Sequence, residues 1–409
     1  MKMSCYVLVI LALVTLAFGV QATVCARTWL VNAGGTGDAP TIQAGIDSAA
    51  AADTVLLADG TFTGPGNRDI DFDGKAVTVR SQSGSESLCI IDCQGTSGDP
   101  HRGFIFESGE TQASVLEYVT VIGGYMDNGG ALACYYASPS ITGCYFAGNT
   151  AASVGGAIDM VSSAAIITNC QFAGNESGSS AGAVYCETLS PTFSLCSFAW
   201  NTSGTNGGGL YCHANAPTII ECIFSNNSAL RGAGMYLDGG STASLTYCIF
   251  RENSATLLGG GMRCFGASPT LESCTFAADS SGSGGAAVHL GSSDAPGFTT
   301  TLIAFAKTGS AIGCDSPGGA LGLSCCNIYG NEGGDWTGCI AVHADMNGNF
   351  SSDPLFCNMP TSDLRVEGCS PCMAGYNTCG VDIGAQGAGC GCGEATEPAT
   401  WGKVKAMFR

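Results

Sequence analysis

Charge is scarce in this sequence, and positive charge most of all. Only 11% of the 409 residues are Asp, Glu, Lys or Arg, and 14 Lys plus Arg face 33 Asp plus Glu, a formal net charge of −19. A chain this poor in basic residues has no cationic stripe to lay along a phosphate backbone, so nucleic acid is excluded as a partner. The same charge repels anionic polymers such as pectate unless a divalent cation bridges them, and it leaves neutral glycans and proteins as the open partner classes. Long apolar runs are also missing. After residues 6–18 no stretch is longer, and a membrane span needs about 20 residues, so no span is expected in the mature chain. The 3.6-residue periodicity of amphipathic helices is absent from the body of the chain, which excludes an ordinary helical enzyme.

What is present in excess is small and turn-forming: 61 Gly and 24 Cys. Lys2, the apolar run behind it and Val20-Gln21-Ala22 have the pattern of an export leader spanning residues 1–22, cleaved before Thr23. A secreted or outer-surface location is therefore expected, in an oxidising compartment where disulfides persist. Removing Cys5 with the leader leaves 23 cysteines, an odd number, so at least one thiol stays unpaired or pairs elsewhere.

The body of the sequence repeats with a period of 26 residues. Cys144, Cys170, Cys196, Cys222, Cys248 and Cys274 keep that step, as do Phe146, Phe172, Phe198, Phe224, Phe250 and Phe276 two places on. Three further on stand Asn149, Asn175, Asn201, Asn227, Asn253 and Asp279. Small-residue pairs follow suit at Gly129-Gly130, Gly155-Gly156, Ala181-Gly182, Gly207-Gly208, Ala233-Gly234 and Gly259-Gly260, so six coils are read as matching without an insertion. Short β-like runs between Gly and Asn corners at fixed period predict a solenoid in which each coil stacks on the last. Stacking turns every column into a ladder, about 4.8 Å per step. Ile141, Ile167, Phe193, Ile219, Leu245 and Leu271 are one buried file, with the Cys and Phe files beside it. The Asn file is expected to hydrogen-bond along the axis and to take the left-handed backbone of a corner. Strand twist and the crossover rule make the solenoid right-handed.

In-register parallel neighbours sit too far apart for easy disulfides, so the stacked cysteines are read as core thiols. The inward column Cys134, Met160, Cys186, Cys212, Asp238, Cys264 reads the same way, with Asp238 as a polar interruption. Both ends need caps. Residues 41–51 carry Ile42 and Ile46 on one helical face, a capping helix ahead of a first strand at Thr54-Val55-Leu56-Leu57. Ten cysteines in residues 314–392 predict a disulfide-stapled C-terminal cap, and residues 394–409 form a polar tail. The fold class is thus all-β: a single-stranded right-handed parallel β-helix over residues 23–393, most regular at 131–286, with an N-terminal capping helix and a cysteine-rich cap at 314–393.

Gly-Gly-Ala-Ile at 155–158 and Phe-Ala-Gly-Asn at 146–149 and 172–175 resemble the GGA-I and FxxN signatures of polymorphic-outer-membrane-protein-type repeats. Such repeats occur in secreted bacterial β-helix proteins of the pectin-lyase-like superfamily. Thr41-Ile42-Gln43, Asp353-Pro354-Leu355-Phe356 and Asp382-Ile383-Gly384-Ala385 are similar to the openings and closures of such proteins. The resemblance implies the fold but not an activity, because that superfamily holds pectate lyases, polygalacturonases and pectin esterases beside adhesins and surface proteins. The sequence departs from the enzymes: no paired Asp-Asp with Gly-His-Gly and no Arg-x-Lys is found.

The candidate site is the outward face of the strand after each glycine pair. One file reads Ala133, Asp159, Tyr185, Tyr211, Leu237, Arg263, His289; its neighbour reads Tyr135, Val161, Glu187, His213, Gly239, Phe265. Asp159, Tyr185, Tyr211, Glu187, His213, Arg263 and Phe265 are therefore expected to form a solvent-facing strip that binds an extracellular glycan or protein. A catalytic alternative pairs Glu187 with His213 as acid and base and uses Arg263 to steady an anion, a carbohydrate-active enzyme of the pectate-lyase or polygalacturonase type. No cofactor or metal is expected. Calcium enters only if the chain is a lyase, and Asp159 with Glu187 supply few oxygen ligands for it.

Overall fold

The computed structural model describes residues 26–316 and 321–393; the leader at 1–22 and the tail at 394–409 lie outside them. The chain winds into a right-handed parallel solenoid whose coils contribute strands to four sheets. The coil of residues 155–180 illustrates the plan. It runs Ile158–Val161, Ile166–Thr168, Gln171–Ala173 and Glu176–Ser177, each strand paired in register with its counterpart 26 residues on. We number the sheets in the order in which a regular coil visits them, starting after the Ser162 corner. The first has 12 strands and contains Ile166–Thr168, the second has 11 and contains Gln171–Ala173, the third has 7 and contains Glu176–Ser177, and the fourth has 10 and contains Ile158–Val161.

Four corners turn this coil, and each is made by one residue with positive φ: Gly155 at 66°, Ser162 at 53°, Asn169 at 52° and Gly174 at 62°. The left-handed position is therefore the residue before the asparagine file, not the asparagine itself. It is Gly148, Gly174, Trp200, Asn226, Glu252 and Ala278 in successive coils. Side chains are tolerated there because the strands on either side, hydrogen-bonded to two neighbouring coils, over-determine the turn.

Freed from the corner, the asparagines point inward. Asn149, Asn175, Asn201, Asn227 and Asn253 are 0–1% exposed. Each Nδ2 donates to the next side-chain oxygen in the file at 3.0–3.1 Å and to a backbone carbonyl. Each side-chain oxygen from Asn175 onward also takes the backbone N–H of the residue below it. The five asparagines are thus satisfied by protein groups, as a buried network has to be. Beside it the phenylalanines stack with centroids 4.6–5.2 Å apart and planes within 9°.

The 26-residue step is not unbroken. Ser228 pairs with Thr202, but Arg231 pairs with Asn206, and Arg231 then pairs with Leu258. One residue is lost and then regained around the irregularity between Ala229 and Arg231. Leu237, not Asp238, consequently fills the inward column with Cys212 and Cys264, and Asp238 moves outward beside His213 and Phe265. A carboxylate in the barrel would have had no partner; the shift places a leucine there instead.

The ends are closed differently from each other. The first strand is Thr28–Val31, ahead of Thr54–Leu57, with which it pairs. The helix Ile42–Ser48 plugs the barrel with Ile42 and Ile46, and Thr41 caps it by accepting from the Ala44 N–H at 3.2 Å. Lys75 Nζ donates to the Ile46 and Asp47 carbonyls at its other end. At the C-terminal side Ile340, in the 3-10 turn Gly338–His343, enters the main core. The chain then folds back along the flank. Phe356–Asn358, Asp363–Glu367 and Ala388–Cys390 form a small mixed sheet. Its Phe356, Leu364 and Val366, with Ile383, pack on Ile249, Leu302, Ala304 and Phe305, on the outer side of the second sheet. Ala385 N–H donates to Thr275 Oγ1 at 2.8 Å. The cysteine-rich segment is a lateral clamp as well as an end cap.

Among the described residues the disulfides all lie in that segment: Cys314–Cys339, Cys325–Cys379, Cys357–Cys390 and Cys369–Cys392. The ladder cysteines are buried thiols, including Cys186 and Cys212 with sulfurs 3.0 Å apart. Alkylating the unfolded chain without reductant, followed by peptide mapping, is expected to label the fourteen free cysteines of the described residues and none of the eight bridged ones. Modification of Cys314 or Cys325 before reduction would contradict the pairing.

Candidate functional site

The outward files of the fourth sheet form one continuous side-chain array, but they are less open than alternation alone implies. In the file that runs Asp159, Tyr185, Tyr211, Tyr236, Arg263, His289, exposure falls to 2% at Asp159, 9% at Tyr211, 3% at Arg263 and 5% at His289. The cause lies in the glycine corners between the third and fourth sheets, which lean against this file. A Cβ on Gly207 would come within 3.0 Å of Tyr211 Cβ, and one on Gly232 within 3.1 Å of Arg263 Cβ. Tyr211 and Tyr236 with Ala181 make a small apolar cluster of their own, outside the main core, with Tyr185 at its edge.

Tyr236 and Asp238 belong to the array and were hidden in the sequence by the one-residue shift, which places Leu237 and Gly239 at those positions of a strict 26-residue repeat. Tyr185, Tyr211 and Tyr236 stack with centroids 5.1 Å apart at each step. Their hydroxyls reach toward the second file. Tyr185 Oη donates to Glu187 Oε2 at 3.1 Å and Tyr211 Oη to Asp238 Oδ2 at 2.7 Å. His213 Nδ1 lies 2.6 Å from Asp238 Oδ1. Burial and the neighbouring carboxylates push both tyrosine hydroxyls up, so they remain donors at any physiological pH. Glu187 and His213 are cross-strand neighbours, but each is engaged elsewhere, Glu187 by Tyr185 and His213 by Asp238.

The two ends of the array carry its strongest electrostatics. Asp159 accepts from Tyr135 Oη at 2.9 Å through Oδ2, while its buried Oδ1 and the buried Nη1 of nearby Arg102 have no protein partner. Burial lifts the Asp159 carboxyl to about 6, against the opposing pull of the Tyr135 hydrogen bond and the Arg102 charge. At the other end Arg263 Nη2 pairs with Asp315 Oδ2 at 2.6 Å and Nη1 contacts His289 Nδ1. Burial and the Arg263 charge hold His289 down to about 4, so it is neutral there. Phe265, 55% exposed, lies beside the guanidinium with its ring centre 5.6 Å away.

Asp159, Tyr211 and Arg263 therefore brace the array from below, and the half-open groups are Tyr135, Tyr185, Glu187, His213 and Asp238, with Phe265 the most exposed. Arg102 and Asp315 sit outside the regular block, where no column of the repeat points to them. Among the described residues no three His, Cys, Asp or Glu side chains converge as a metal site. Nor is any helix there long and apolar enough to cross a membrane.

Comparison with known proteins agrees with this architecture. Residues 76–303 match the family described as right handed beta helix region. No curated protein matches. Among solved structures the chain is similar to pectate lyase Pel9A, with 14% identity over 72% of this chain and 80% of that one, at a TM-score of 0.49. It is also similar to tailspike protein 3 of bacteriophage CBA120, with 14% identity over 77% of this chain and 52% of that one, at a TM-score of 0.42. With more than half of its length matched, the chain belongs to the right-handed β-helix family.

Proposed function

We propose that this protein is a non-catalytic, extracellular or cell-surface β-helix whose fourth sheet receives a neutral glycan along the Tyr135–Tyr185–Glu187–His213–Asp238–Phe265 strip. The observation that carries the reading is the tyrosine stack with its hydroxyls held by carboxylates. Aromatic rings run through three successive coils at Tyr185, Tyr211 and Tyr236, with oriented hydrogen-bonding groups beside them, a spacing suited to the repeating units of a polymer. Four disulfides support an oxidising, extracellular location. The GGA-I and FxxN segments resemble repeats of polymorphic-outer-membrane-protein-type surface proteins, which supports the same reading.

A second reading, a carbohydrate-active enzyme, is favoured by one observation: the Asp159 carboxyl, beside the strand that carries Glu187, is raised to about 6, chiefly by burial and in smaller part by the Glu187 charge. Glycan-array binding and polysaccharide-degradation assays with and without calcium separate the two. Binding without turnover is expected, weakened about tenfold in Tyr185→Ala by loss of one aromatic contact and unaltered in fold by Tyr211→Phe. Calcium-dependent or independent turnover that disappears in Glu187→Gln would replace the binding reading with the enzymatic one. Silence of the native chain toward every glycan would overturn both.

A further inference from the structure

Around the corner from that strip, between the fourth and first sheets, the coil geometry departs from the repeat. Eleven residues separate the strand starts Phe104 and Val115, where eight separate Leu132 from Ser140 and Ile158 from Ile166. The added length builds a wall at residues 107–113. It is held from beneath by Glu110, 2% exposed, whose Oε1 accepts from the Gly74 N–H at 2.7 Å and Oε2 from the Ser108 N–H at 3.0 Å. The Glu110 carbonyl also takes the Ser138 N–H at 2.7 Å, which ties the wall to the next coil. Facing the wall is Tyr136, 75% exposed and in a left-handed backbone with φ 55°. The same corner in later coils carries Ser162, Thr188 and Ala214. A large aromatic side chain there gains nothing from packing and meets the left-handed backbone's cost.

Between wall and ring lies a cleft of about 550 Å³ lined by Glu110, Thr111, Gln112, Tyr136, Ser138 and Ala164 among others. That volume is within the range of small-molecule sites. We propose that this cleft is a neutral-sugar subsite, with Tyr136 as the stacking platform and the Thr111, Gln112 and Ser138 groups as hydrogen-bonding partners. The chemical class follows from the lining. It holds no Lys or Arg to attract an anion, and its one carboxylate is spent on backbone N–H groups. What remains is an aromatic face with amide and hydroxyl groups, which matches the apolar face and hydroxyl rim of a pyranose. The subsite is independent of the tyrosine strip, because Tyr136 belongs to neither outward file of the fourth sheet.

The test is saturation-transfer NMR and titration of the purified chain with neutral gluco-, manno-, galacto- and xylo-oligosaccharides, comparing Tyr136→Asn, Tyr136→Trp and Glu187→Gln. Asparagine suits the left-handed backbone, so Tyr136→Asn keeps the corner folded. Binding of at least one oligosaccharide is expected, about tenfold weaker in Tyr136→Asn and retained in Tyr136→Trp. No binding at millimolar sugar, or binding that ignores Tyr136→Asn, overturns the subsite. Sensitivity to Glu187→Gln alone assigns the sugar to the strip and leaves the cleft without a role.

Discussion

Gly182→Ala is expected to lower the folding stability by about 3 kcal/mol or more, or to leave no folded chain at all. A Cβ at Gly182 would lie 2.3 Å from the Gly208 carbonyl oxygen and 2.7 Å from the backbone of Thr202. Both obstacles are main chain of the next coil, so no rotamer change relieves them. Gly156 is built the same way, with the Gly182 carbonyl 2.1 Å from its Cβ position. The informative control is Gly174→Asn. Gly174 has positive φ, but its Cβ direction is open, and the same file already carries Trp200, Asn226 and Glu252 in later coils. Urea unfolding should place Gly174→Asn within about 1 kcal/mol of the native chain. Equal midpoints for the two variants would show that close coil spacing is not what requires glycine at 156 and 182, a position that Ala233 and Ala286 fill in later coils.

Asp279→Asn is expected to stabilise the protein at neutral pH, by about 1–3 kcal/mol, the usual cost of an unpaired buried polar group. Asp279 ends the asparagine file. Its Oδ1 accepts from the Asn253 N–H and Nδ2, as an asparagine oxygen would, but its buried Oδ2 has no partner. Burial therefore raises its pKa well above the ordinary carboxylate value, against the pull of the Asn253 hydrogen bonds. The sign follows from linkage. A carboxyl whose folded pKa exceeds the unfolded value, about 3.9, binds its proton more tightly in the native state. Stability is then lost as pH rises from about 4 toward the folded pKa, and not regained above it. Asparagine in its place supplies the missing donor at Oδ2 and has no such loss. The difference between Asp279→Asn and the native chain should accordingly be small near pH 3.5 and grow with pH. Chemical unfolding across pH 3.5–8 measures it; a difference that is constant, or that shrinks with rising pH, would mean that Asp279 is not the titrating group.

These two residues mark where the repeat could and could not be read. The Cys, Phe and Asn files were visible as columns, and so was the glycine pair except in the shifted coil, where it is Gly232-Ala233 and not Ala233-Gly234, because an in-register parallel solenoid writes each buried environment once per coil. The asparagines were legible as an axial hydrogen-bonding file. Their placement at the left-handed corner was not, since that conformation is adopted by the preceding residue, which varies freely between Gly148 and Glu252 because it faces outward. The strip was legible as a set of aromatic and charged positions on one strand face. Its depth was not: Asp159, Tyr211 and Arg263 alternate outward as expected, yet glycine corners of the third sheet cover them. Covering of this kind arises between two sheets of the same coil and has no periodic signature.

Sequence alone determined the solenoid, its period, its handedness and the identity of its core, because stacking forces every coil to solve the same packing problem with similar residues. Tertiary structure decided the rest. It placed Leu237 inside and Asp238 beside His213, since a backbone irregularity at Ala229–Arg231 resets the register to spare the core a carboxylate. It also turned the cysteine-rich segment into a clamp on the outer side of the second sheet, where Phe356, Leu364, Val366 and Ile383 cover Ile249 and Leu302. Those contacts join residues 54 to 134 positions apart with no shared repeat, and only the folded chain brings their apolar surfaces together away from water.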